Sequence, residues 1–76
     1  MNNTQLCFPL LGHQCKGKIV KLCYSNTVIN IFEIEGKKSL VNYKGTIKYD
    51  KKFKLEEIVN CTIVSYSDNG INCILI

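Results

Sequence analysis

The chain has 76 residues, a net charge of +4 and 46% hydrophobic side chains. That is one small domain, too short for a second core or a deep catalytic cleft and too apolar to stay disordered. Its apolar runs are too short to span a bilayer, and the opening Met1-Asn2-Asn3-Thr4-Gln5 lacks the basic and apolar regions of a secretory signal.

In chain order, residues 1–15 read as an irregular lead-in holding the only proline, Pro9, and a turn glycine, Gly12. From Lys16 onward the pattern predicts strands separated by turns. Residues 16–24 are rich in β-formers, and Ser25-Asn26 make a turn. Residues 27–35 alternate, with Ile29 and Ile31 on one face and Val28, Asn30 and Phe32 on the other. Gly36 with Lys37 closes a hairpin into a third strand, 39–48, where Gly45 signals a bulge or tight bend. A polar connection follows, 49–54. Phe53, Leu55, Ile58 and Val59 share a helical face, but Thr62-Ile63-Val64 pull the window back to strand, leaving at most one helical turn. The fourth strand is 57–66, Ser67-Asp68-Asn69-Gly70 form a turn, and 71–76 make a fifth strand. Five short strands with a longer join between the third and fourth predict an all-β, five-stranded Greek-key barrel of OB type over 16–76, in preference to an SH3-like barrel.

The charge is unevenly placed. Lys37, Lys38, Lys44, Lys48, Lys51, Lys52 and Lys54 face Asp50 alone across 37–54, the footprint of a phosphate-binding surface or of a solvated loop. Every basic residue is lysine, so bidentate guanidinium readout of bases is excluded and sequence preference should be weak.

Five cysteines, Cys7, Cys15, Cys23, Cys61 and Cys73, are an odd number without the close pairs of a zinc ribbon. Three of them, Cys23, Cys61 and Cys73, lie in strand-like apolar runs and read as buried free thiols of a reducing compartment. Sequons at Asn2 and Asn60 read as coincidental.

No catalytic constellation emerges. His13 and Cys15 lack an orienting third group. Glu33 and Glu35 alternate on a strand, where solubility explains them better than acid–base chemistry, and Glu56 and Glu57 read as solvated. No enzyme activity, cofactor, metal, small-molecule substrate or membrane partner is expected.

Lys16-Gly17-Lys18-Ile19-Val20 resembles the glycine-led first strand of S1-type OB domains. More narrowly, the order of motifs resembles the S1 domain of the small cap-subunit family of the RNA exosome. Pro9-Leu10-Leu11-Gly12 matches that family's Pro-x-x-Gly opening, and Tyr43-Lys44-Gly45-Thr46-Ile47-Lys48 its Phe-Arg-Gly-Thr/Ile-Ile-Arg segment. Phe53-Lys54-Leu55-Glu56-Glu57-Ile58-Val59 stands where the family reads Phe-Arg/Lys-Pro-Gly-Asp-Ile-Val; then come Ile63-Val64-Ser65, Asp68 and Asn72-Cys73-Ile74-Leu75. Leu55-Glu56 replaces Pro-Gly, the loop after Lys48 is shorter, and the family's flanking domains are not in this sequence.

The resemblance implies a non-catalytic component that docks on exosome ring subunits and guides single-stranded RNA in 3'-to-5' processing and degradation. It also implies an intracellular location, in nucleus, nucleolus and cytoplasm. The lysine cluster and the way OB-type barrels stack bases beside a cationic track point to Phe32, Lys37, Lys38, Tyr43, Lys44, Lys48, Lys51 and Lys52 as RNA-binding residues. Phe32 and Tyr43 as core fillers remain an open alternative, and Tyr24, Tyr49 and Tyr66 read as loop anchors. Two other functions stay open: a stand-alone factor resembling bacterial initiation factor 1, whose basic ending is missing here, and an interaction-only OB module.

Overall fold

The alternating residues of 14–34 build a long antiparallel pair, β1 (Gln14–Leu22) and β2 (Asn26–Ile34). A computed structural model of the chain describes residues 8–76; residues 1–7, with Cys7 and the Asn2 sequon, lie outside the described residues. Three further strands follow, β3 (Lys37–Lys48), β4 (Ile58–Ser67) and β5 (Gly70–Leu75). They close in the order β1-β2-β3-β5-β4, with β3 and β5 parallel and every other neighbour antiparallel. The molecule is all-β, a closed five-stranded barrel consistent with an OB fold. Among the described residues no helix is long and apolar enough to cross a membrane.

Alternation places Ile19, Ile29, Ile31 and Ile63 wholly inside, with Ile34, Ile47, Val59, Cys61 and Cys73 around them. Each isoleucine so buried contributes roughly 1.5–3 kcal/mol relative to exposure. Gly17 and Gly45 face this core. A Cβ on Gly45 would lie 2.8 Å from Ile31 Cδ1 and 3.0 Å from Ile29 Cγ1, so the absent side chain is the space the isoleucines fill.

Three boundaries differ from the sequence expectation. β1 starts at Gln14, two residues inside the expected lead-in, because Gln14 and Cys15 pair with Thr62 and Cys61 of β4. The β2–β3 turn is centred on Glu35-Gly36, with φ of 51° and 79°, as a two-residue hairpin requires. Gly45 carries no bulge. The register break falls at Phe32, which has no partner on β1 or β3: its neighbours Ile31 and Glu33 pair with Gly17 and Lys16 on one side and with Tyr43 and Lys38 on the other.

The β3–β4 join holds turns and no helix. Asp50 folds it back by accepting the Lys52 N–H on its carboxylate (2.9 Å) and the Phe53 N–H on its carbonyl (3.0 Å), and Phe53 packs against the core. At the opposite end of the chain, Gly12 N–H donates to Ile63 O and Ile63 N–H to His13 O, fastening the lead-in to β4. Tyr66 adds its hydroxyl to the carbonyl of Pro9, so for this tyrosine the expected anchoring role is met.

Candidate nucleic-acid interface

On the outer wall of β1, β2 and β3 the register lines up polar groups in a row. Lys18 pairs with Asn30, and Asn30 pairs with Lys44, so one asparagine lies between two lysines on adjacent strands. Residues directly opposite in antiparallel strands share a face, and this face is the one opposite Ile29 and Ile31. Phe32 stands two residues from Asn30 on the same side. With Lys18, Asn30, Asn42 and Ile58 it lines a cleft of about 390 Å³. The bulge matters here: the unpaired residue is turned half-buried against this cleft.

Lys48, the register partner of Asn26, extends the outward lysines of β3 toward the β3–β4 join. Lys51 and Lys52 are exposed on that join, beyond the end of β3. Lys37 and Lys38 lie at the other end of the same strand, opposite Ile34 and Glu33. A twelve-residue strand is about 40 Å long. The lysines contiguous in sequence are therefore spread along the barrel rather than gathered in one patch.

Tyr43 does not join the row. It pairs with inward-facing Ile31 and packs, half-buried, against the core, on the opposite side of β3 from Lys44. The sequence order Tyr-Lys suggested interleaving; strand alternation separates the two.

Lys18 and Asn30 were not among the residues the sequence singled out, and Asn42 was not either. The signal was present as Lys16-Gly17-Lys18, whose alternation puts both lysines outward. Each has an acidic neighbour: Lys16 Nζ lies 3.7 Å from Glu33 Oε2, and Lys18 Nζ 3.5 Å from Glu56 Oε2. The exposed Lys18–Glu56 pair is weak.

Tyr24, unlike Tyr66, differs from expectation. Tyr24 is fully exposed, and Tyr49 is exposed as well; with Leu22 and Cys23 they line a second cleft, of about 460 Å³, at the end of the barrel. Tyr24, wholly exposed, does not fasten its loop.

No protein-family model matches this sequence, and no curated protein matches it.

The other chemistry-bearing residues are engaged elsewhere. His13 Nδ1 accepts a long hydrogen bond from Leu10 N–H (3.4 Å), while Cys15 points into the core. The Glu35 carboxylate accepts the Gln14 N–H (2.7 Å), pinning the β2–β3 turn to β1, whereas Glu33 faces Lys16. Cys15, Cys61 and Cys73 are buried free thiols on three adjoining strands, with Cys15 and Cys61 register partners. Thiol hydrogen bonds from Cys61, then Cys73, draw Cys15 down to about 4 against the opposing effect of burial. The hydrogen bond to Cys15 and burial push Cys61 and Cys73 up. Among the described residues no cluster of His, Cys, Asp and Glu is arranged to hold a metal ion.

Proposed function

We propose that this barrel is a non-catalytic, single-stranded RNA-binding component of the RNA exosome cap, docking on ring subunits and guiding RNA toward the nuclease. The observation that carries RNA binding is the Lys18–Asn30–Lys44 row beside the Phe32 cleft. Cations beside an aromatic ring on an OB-type sheet suit a polyanion whose bases stack. Lysines without arginine suit a surface that passes many sequences.

Two features favour the exosome assignment. Glu56 has φ of 74°, a left-handed conformation that favours glycine, at the position where the cap-subunit family carries glycine. The residue differs from the family pattern, but the turn geometry is what that pattern would need. Second, Val64, Ile74 and Ile76 are exposed on β4 and at the end of β5, Ile74 beside Lys48 and Tyr49 and Ile76 beside Lys16. Exposed apolar side chains there suit docking on a protein.

The test has two arms. A labelled oligo(U) should bind with an affinity that falls steeply with salt, and the chain should co-elute with a reconstituted exosome ring. Failure of the probe to bind overturns RNA binding. A ring that does not retain the chain overturns the assembly, and capture by the small ribosomal subunit instead would favour the initiation-factor alternative.

A further inference from the structure

We propose that the cleft between Tyr24 and Tyr49 is a stacking site for an unpaired base of single-stranded RNA, a second contact point beyond the Lys18–Asn30–Lys44 row. It rests on the RNA-binding reading above and extends it to the end of the barrel.

The β1–β2 turn is held shut by the Cys23 N–H donating to the Asn26 carbonyl (2.9 Å), which fixes Tyr24 and Ser25 at its tip. Register then determines what lies beside that tip. Leu22 pairs with Thr27, Thr27 with Ile47, and Asn26 with Lys48, so Tyr49, the first residue after β3, comes level with the turn. Two tyrosines from separate connections thus line one cleft with Leu22 and Cys23. Its volume, about 460 Å³, falls within the roughly 300–1,000 Å³ of small-ligand sites.

Tyr24 is fully exposed, and its ring neither fills the core nor engages in a hydrogen bond or ion pair among the described residues. Fold stability does not account for it. A planar apolar face with a polar edge, set on a tied turn, suits a partner that is itself flat and partly polar. The surrounding charge selects a polyanion. Lys21 precedes Leu22 and is exposed, Lys48 precedes Tyr49, and exposed Lys51 and Lys52 follow on the same connection, with Asp50 the one acidic residue among them. Lys48 also sits on the same strand face as Lys44, so an RNA strand crossing the row at Asn30 is led along β3 to the tyrosines.

The experiment measures oligo(U) binding by fluorescence anisotropy across a salt series for the wild type, Tyr24→Ala, Tyr24→Phe and Tyr24→Ala/Tyr49→Ala. Circular dichroism confirms that each variant keeps the fold. Losing a stacked base should weaken binding roughly fivefold to a hundredfold for Tyr24→Ala, with the salt slope unchanged and Tyr24→Phe close to wild type. An oligomer of abasic ribose phosphates should bind wild type no better than it binds Tyr24→Ala. A double variant that binds oligo(U) like wild type, or one that loses salt slope instead of stacking, overturns the cleft while leaving RNA binding intact. A wild-type chain that ignores oligo(U) overturns both.

Discussion

Lys18 on β1 and Lys44 on β3 are the two lateral register partners of a single residue, Asn30. Two strand spacings put their backbones roughly 9.5 Å apart on one outward face. A charge pair fixed by backbone pairing keeps its spacing whatever the loops do.

If phosphates lie on this pair, each lysine releases its own counterion. Lys18→Gln and Lys44→Gln should each weaken oligo(U) binding and lower the magnitude of the log–log salt slope by about 0.7. Lys37, opposite Ile34 at the hairpin end, is the control. Lys37→Gln should leave the slope nearly unchanged; equal losses at all three positions would mean diffuse attraction and no organised row.

Glu56 joins strain to competition. It holds φ of 74° and places its carboxylate 3.5 Å from Lys18 Nζ. A left-handed residue with a Cβ costs roughly 1–2 kcal/mol, while an exposed ion pair returns little. Glu56→Gly should therefore raise stability by about 0.5–1 kcal/mol after glycine's added chain entropy, and strengthen oligo(U) binding by freeing Lys18. Glu56→Gln separates the two effects, because it frees the lysine but keeps the Cβ. A lower unfolding midpoint for the glycine variant would contradict the strain.

The barrel was legible because Ile29 and Ile31 alternate cleanly and Ser67-Asp68-Asn69-Gly70 punctuate the last hairpin. The site was less so, for a reason seen at Phe32. One unpaired residue there lets Glu33 stay outward and turns Ile34 inward, which no period-two count foresees. Tyr43 took the core-filling alternative, because adjacency in sequence to Lys44 means opposite faces in a strand. The lysines of 37–54 look like one cluster as text, but extended β3 draws Lys37 and Lys48 to its two ends. Glu56 was illegible for another reason: its backbone is set by Glu56 N–H donating to Ile19 O and Ile19 N–H to Glu57 O, contacts to a distant strand.

Gly36 and Gly70 both have positive φ, yet their surroundings differ. A Cβ on Gly36 meets nothing within 4 Å; on Gly70 it would lie 2.7 Å from the carbonyl oxygen of Lys44. Backbone cannot give way as a side chain does. Gly70→Ala should cost roughly 1–3 kcal/mol more than Gly36→Ala in denaturant unfolding. Equal losses would show that the β3–β5 approach is slack.

The buried thiols predict how stability varies with pH. Cys61 and Cys73 are pushed up in the fold by the hydrogen bond to Cys15 and by burial, so the unfolded chain, with thiols near 8.5, ionises first as pH rises. Their contribution is complete below that value and declines above it. Cys15 acts with the opposite sign. Drawn down to about 4 by hydrogen bonds from Cys61 and Cys73, it contributes fully above 8.5, and that contribution is lost as pH falls toward 4. Urea unfolding from pH 5 to 10 measures both arms. Cys73→Ala should lower stability at every pH through lost packing and flatten the alkaline arm by about one thiol's slope. An alkaline arm equally steep in that variant would mean that Cys73 ionises in the folded barrel as readily as in the unfolded chain.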